Sequence, residues 1–240
     1  GGTMKLTQSL LFAVAFSSVF FTPAFAGSNG VIAGIDFSAG AARGSSDTTD
    51  GGGFGGGGVV GNVRFGHALG IGGHLGYRFD RALSVFLGYQ HVRGDIRWDA
   101  SFPLYMTSTH FSGTAESNAL MVNVSYAHPL SSTTDFDVSA GLGVSFNRLV
   151  DVVETTQETG EFVSDVHGNT RSSRAARMAL GIRHELSSHI VLGLETSLAY
   201  AGKFRTGDTR FGNLGVTPIN PYEINSVWRT SLTASLGYTF

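Results

Sequence analysis

Four acids and four arginines, Asp36, Asp137, Glu185 and Glu195 against Arg78, Arg177, Arg183 and Arg229, share a strand parity with glycines such as Gly76, Gly181, Gly193 and Gly237. The other parity around them is apolar. Charges of both signs on one face of alternating segments do one of two things when that face is enclosed. They pair into an internal ion-pair network, because an unpaired buried charge costs several kcal/mol, or they line a narrow path for ions. Small residues on the same parity make room for the long arginine and glutamate side chains. The expectation is a network that fills the interior, with a gated pore as the functional alternative.

Other chemistry is poorly supported. Acyl transfer or hydrolysis needs a nucleophile, a base and an orienting acid within reach. His67, His91, His110 and His167 fall on separate expected loops, with no compact Ser-His-acid spacing. His184 and His189 flank Glu185 near a turn, but His-x4-His is no recognised ligand spacing on a strand. The glycine run Gly51–Gly58 lacks the Gly-Lys-Ser/Thr that a phosphate-cradling loop requires. The chain has no cysteine, which removes disulfides, thiolate chemistry and cysteine-based zinc sites. A formal charge of −2 argues against a nucleic-acid partner. No catalytic residue, metal site or cofactor is expected, and the chain is not expected to be an enzyme.

The elements that must position the charges are strands. Val31, Ala33, Ile35, Phe37 and Ala39 alternate over Val31–Arg43, with Asp36 on the opposite face. Seven further runs follow: Leu69 to Phe79, Leu83 to Tyr89, Leu120 to Tyr126, Phe136 to Phe146, Met178 to Ile182, Ile190 to Tyr200, and Trp228 to Phe240. Three connections are short (Asp80–Ala82, Pro129–Asp135, Ser187–His189). Four are long (Gly44–His67, Asp99–Ser117, Glu154–Ser173, Arg205–Asn225). An even number of strands joined alternately by short turns and long loops is the pattern of a transmembrane barrel, whose closure leaves no unpaired edge facing lipid. The fold class expected is all-β: an eight-stranded antiparallel up-and-down barrel with both termini at the short-turn end. A soluble eight-stranded barrel is the alternative, and would turn the apolar parity inward.

Lys5, the apolar run Leu10–Phe21 and Ala24-Phe25-Ala26 read as a secretory signal peptide cleaved after Ala26, with Gly1-Gly2-Thr3 ahead of Met4. The run is shorter than the ~20 residues a spanning helix needs. Residues 27–240 are then one barrel domain.

Two hairpins carry a resemblance. Gly73-Gly-His-Leu-Gly-Tyr-Arg-Phe-Asp-Arg-Ala-Leu-Ser-Val-Phe-Leu-Gly-Tyr89 and the closing Ser231-Leu-Thr-Ala-Ser-Leu-Gly-Tyr-Thr-Phe240 resemble small bacterial outer-membrane barrels, the opacity-like and outer-membrane protein A-like group. The resemblance implies residence in the bacterial outer membrane, with termini in the periplasm and long loops outside. It implies assembly through a C-terminal signal, Tyr238 and Phe240, read by the barrel-assembly machinery. A structural, adhesive or surface-interaction role follows as the expectation. A small porin-like channel for ions or apolar molecules is the alternative, and ligand capture by loop histidines and aromatics is a third.

Surface contacts would lie in the loops and at the rim. Eleven of the sixteen basic residues fall in the outer half, among them Arg93, Arg97 and Arg174. Arginine pairs phosphate bidentately, so these three are candidate contacts to lipopolysaccharide phosphates, with a merely solvated rim as the alternative. Trp98, Phe102, Leu104, Tyr105, Met106 and Phe111 form an apolar cluster in the second loop that either binds a partner, such as a host surface ligand, or caps the barrel. Phe211, Pro218, Pro221 and Tyr222 stiffen the fourth loop.

Overall fold

The computed structural model describes residues 29–46, 48, 59–102, 106–213 and 215–240. The expected signal segment and the glycine run of the first loop lie outside them.

Among the described residues, ten strands make one closed antiparallel wall: β1 (Gly30–Ser45), β2 (Val59–Arg78), β3 (Leu83–Phe102), β4 (Thr107–Pro129), β5 (Thr134–Thr156), β6 (Phe162–Gly168), β7 (Thr170–Glu185), β8 (Ile190–Gly212), β9 (Gly215–Pro218) and β10 (Glu223–Thr239). β6 and β7 are consecutive pieces of one stave, since both pair with β5 and with β8. β9 folds back on β8 as a hairpin. Eight staves therefore run round the ring, and β10 closes it by pairing with β8 on one side and β1 on the other. The Phe240 amide donates to the Val31 carbonyl at 2.9 Å, so the closing seam extends to the last residue.

The three short turns share one device. Asp80 Oδ1 accepts from the amides of Ala82 and Leu83, both at 2.7 Å. Ser131 Oγ accepts from Thr133 and Thr134, and Ser187 Oγ from His189 and Ile190. A short polar side chain satisfies the turn's free amides, which is why these residue types sit there.

Outward residues near the turns are apolar: Leu75, Leu87, Val122, Leu142, Leu180, Leu194 and Leu232 are all exposed. The band reaches about ten residues on the longer staves, such as Leu69–Phe79 along β2 and into its turn, the length a tilted strand needs to cross a bilayer's hydrocarbon core. Aromatic residues mark its edges. Tyr77 packs on Phe79 (ring centroids 5.2 Å apart) and Tyr238 on Phe240 (4.8 Å) at the turn end, and Tyr200 on Trp228 (5.1 Å) at the loop end.

Past the band the staves continue, and the long-loop boundaries need correction. β3 runs to Phe102 and β4 starts at Thr107, so the expected loop Asp99–Ser117 is almost entirely paired strand. β6 occupies much of Glu154–Ser173, and β8 with β9 much of Arg205–Asn225. The reason is an inversion of polarity. Above Tyr89, β3 presents His91, Arg93, Asp95, Arg97 and Asp99 on its outer face and buries Val92, Ile96, Trp98 and Ala100 inside. Water replaces lipid outside, and the interior becomes an ordinary apolar core.

Candidate functional site: a two-storey lumen

The lumen carries the candidate chemistry, and its two storeys differ. In the storey near the turns Arg78 lies 3.7 Å from Glu185, and Arg183 Nε lies 3.2 Å from Asp137 Oδ2. Asp137 also accepts from Ser125 Oγ at 2.5 Å. Arg177 donates to Glu195. Asp36 is matched by His74 at 3.1 Å. Arg229 is buried and donates to Gln90 Oε1, with no ion pair to an acid among the described residues. The structure thus brings six of the eight charges into three direct pairs. It completes the remaining two with His74 and Gln90, which share the inward parity. Gly181 supplies the room anticipated from the sequence, since a Cβ there would stand 2.7 Å from the Glu195 side chain, whereas Gly193 makes room for Ser235.

These groups surround a cavity of about 130 Å³. Among its lining residues, Arg183 Nη2, Arg78 Nε, Asn123 Oδ1 and the hydroxyls of Ser84, Ser139 and Thr233 are buried without hydrogen-bond partners. Among the described residues no group of His, Asp and Glu is arranged to hold a metal.

The storey toward the loops is apolar. Trp98 stacks on Phe111, ring planes 2° apart and centroids at 5.2 Å, and Tyr222 tilts against Phe111 at 4.9 Å. Ile96, Leu149, Val152, Phe204 and Ile224 pack round them. Of the apolar cluster assigned to the second loop, Trp98, Phe102 and Phe111 are therefore buried inside the barrel, while Met106 is exposed and Leu104 and Tyr105 lie outside the described residues. Tyr222 joins the same core from the fourth connection.

Bulges turn the right side chains inward. Asn62, Asp151, Gly202 and Ser226 all have positive φ, and the pairings of β2, β5's neighbour β4, and β10 shift register beside them. Each adds a residue and exchanges the faces of the strand beyond it. At Gly202, with φ of 83°, a Cβ would stand 2.3 Å from Ser173 Cβ. Asn147, fully buried on β5, donates to the carbonyls of Ala201 (2.5 Å) and Lys203 (3.0 Å) and holds this bulge in place.

The outer wall of the loop end holds a contact that sequence reasoning missed. His110 Nδ1 lies 2.8 Å from Asp99 Oδ1, and Asn62 donates to Asp99 Oδ2 at 2.8 Å. The sequence puts His110 on an expected loop, whereas it stands directly opposite Asp99 across β3 and β4. The hydrogen bond from His110 holds the Asp99 carboxyl below its ordinary value. A depressed carboxyl stabilises the fold above its unfolded pKa, and that contribution is lost as pH falls through the lower folded value. Acidification below about pH 4, the ordinary aspartate range, should lower the amide-exchange protection factors, taken against the intrinsic rate at each pH, at the loop ends of β3 and β4. Asp99→Asn should flatten that dependence. His91 bonds Asn118 at 3.0 Å and His167 stacks on Phe211, so the loop histidines do not converge.

The candidate rim residues separate. Arg93 and Arg97 stand on β3, and Arg174 on β7, all exposed. Arg93 lies 3.7 Å from Glu116 and 3.9 Å from Asp151.

A closed antiparallel ring with an apolar outer band and aromatic edges narrows the choice of family, and a family model for the outer membrane protein beta-barrel domain matches residues 12–240. The chain belongs to this family. Its place is the bacterial outer membrane, in contact with membrane lipid. Solved structures of similar fold include the outer membrane protein OprG from Pseudomonas aeruginosa, with 16% identity over 90% of this chain and 97% of that one at a TM-score of 0.55. Neisserial surface protein A is also similar, with 13% identity over 89% and 99% at 0.46, as is the outer membrane protease OmpT from Escherichia coli, with 9% over 88% and 94% at 0.46. No curated protein sequence matches the chain. In this barrel an apolar core stands above an ion-paired lumen.

Proposed function

We propose that this outer-membrane barrel is a closed, non-enzymatic surface protein, with periplasmic termini and its extended loop end outside the cell. One observation carries the reading. Two features narrow the lumen: the ion pairs that ring the small cavity near the turns, and the stacked Trp98, Phe111 and Tyr222 above them. A porin-like channel needs a continuous polar path, and an apolar core of interior density opposes one. Structural, adhesive or interaction roles then fall to the outer wall and loops, where a host or surface ligand would meet the protein. Arg93, Arg97 and Arg174 are the rim positions proposed for lipopolysaccharide phosphates, and Tyr238 and Phe240 the signal for the assembly machinery. The signal segment of residues 1–26 belongs to the same reading.

Planar-bilayer recording of the purified protein tests it. The expected result is no steady current beyond brief flickers. Large, continuously open currents would overturn the closed-lumen reading in favour of the channel.

A further inference from the structure

At the loop end the β5–β6 and β8–β9 hairpins stand side by side, joined where β6 pairs with β8. Their inward residues fall into rows. Val152, Val166, Arg210 and Thr217 are successive ladder partners, and one step nearer the tips come Glu154, Ser164, Gly212 and Gly215. Val152 and Val166 belong to the apolar core below. Glu154 is only 1% exposed, yet its Oε2 accepts from Arg210 Nη1 at 3.2 Å and from Ser164 Oγ at 2.6 Å. Arg210 Nε donates to Thr217 Oγ1 at 3.0 Å. A buried ion pair gives no more stability than apolar side chains of the same shape. What this one gives is orientation: the guanidinium is fixed on two sides, and Nη2 remains for a guest.

Gly212 and Gly215 put no side chain over that guanidinium. The result is a cavity of about 280 Å³ at the mouth of the barrel, lined by the half-buried Arg210 and Thr217, the exposed Glu161 and Asn213, and Phe162. Asn213 Nδ2 donates to the Phe162 carbonyl at 3.1 Å and ties the two hairpins together, which leaves its Oδ1 as an acceptor.

Charge decides what kind of guest fits. Glu154 already compensates Arg210, and Glu161 adds a negative charge, so a phosphate or carboxylate would find no free cation. A cationic guest would face Arg210. A neutral guest remains. It must accept and donate together, because the wall sets guanidinium and hydroxyl donors beside carboxylate and amide acceptors. Phe162, with 45% of its surface exposed, adds an apolar plate. The volume lies just below the roughly 300–1,000 Å³ of drug-sized ligand sites, which suits one small ring.

We infer that this bowl binds the terminal sugar unit of a glycan. Neighbouring hydroxyls accept from Arg210 and donate to Glu161 or Asn213, and the C–H face of the pyranose lies on Phe162. The unit is a chain end because the core closes the cavity below, while the exposed Glu161 and Asn213 leave it open at the tips. The inference deepens the proposed surface-interaction role and rests on it only for the side of the membrane the bowl faces.

Saturation-transfer NMR on the full folded barrel, in a detergent without sugar headgroups, tests it. The probes are the methyl glycosides of glucose, galactose, mannose and N-acetylglucosamine, with methyl phosphate as the anionic comparison. At least one glycoside is expected to bind saturably. Phe162→Ala and Asn213→Ala alter exposed positions, and Arg210→Lys keeps the charge opposite Glu154 but loses the fork. All three should fold normally on a heat-modifiability gel, and each should weaken binding about tenfold. Arg93→Gln/Arg97→Gln should bind like the parent. No saturable binding of any glycoside overturns the inference, as does binding that survives in all three variants. Methyl phosphate bound more tightly than every glycoside would mark an anion site instead. A free sugar that binds while its methyl glycoside does not would refute the chain end. Failure here leaves the closed lumen standing, and open bilayer currents with intact glycoside binding would remove only the closed lumen.

Discussion

Replacing Trp98 with alanine is expected to destabilise the folded barrel by about 3–5 kcal/mol, the cost of deleting a large aromatic from a packed interior. Trp98 is fully buried, stacked on Phe111 and tilted against Tyr222. Its removal strips contacts from both rings and leaves a void that strands β3 and β4, paired throughout by hydrogen bonds, close only in part. Trp228→Ala is the matched control. That indole is 46% exposed on the outer face, so truncation should cost much less. Reversible urea unfolding in lipid vesicles measures both. Equal costs for the two variants would mean that the loop-end core contributes nothing special.

Arg177→Met is the second large effect. It leaves Glu195 in the polar storey without the guanidinium that compensates it. Removing one member of a buried pair costs about 3–5 kcal/mol, and the lower end applies because the Glu195 side chain is 26% accessible within the cavity. The double variant Arg177→Met/Glu195→Gln should recover most of the loss, since replacing both charges avoids the stranded one. A double-mutant cycle on the same unfolding assay separates the two outcomes. Additive losses would show that the residues are not coupled.

The eight staves and their facing were legible in the chain because lipid imposes a strict rule: residues such as Leu75, Leu142 and Leu194 must be apolar on the outer parity, and the alternation follows. The partners of the lumen charges were legible as a set, but Asp36 with His74 depends on the register of the adjacent β1 and β2, and Arg229 with Gln90 on which staves face each other across the interior. The loop-end halves of the staves were not legible. There Arg93, Asp95 and Arg97 take the outer parity and Ile96 and Trp98 the inner, the reverse of the rule that had identified the strands. The bulges at Asn62, Asp151, Gly202 and Ser226 break the period again. The Asp99–His110 contact was lost for the same reason, because residues assigned to a loop have no register from which to infer a neighbour.

The most direct measurement uses the chain's two tryptophans. In vesicles, the Trp98→Phe variant reports Trp228 alone, and Trp228→Phe reports Trp98 alone. Trp228 is expected to be strongly quenched by lipids brominated near the interface, and Trp98 to resist both brominated lipid and aqueous iodide while emitting at short wavelength. Ready quenching of Trp98 by iodide, or a Trp228 blind to brominated lipid, would contradict a barrel that turns its greasy face to the membrane and seals its outer storey with an apolar core.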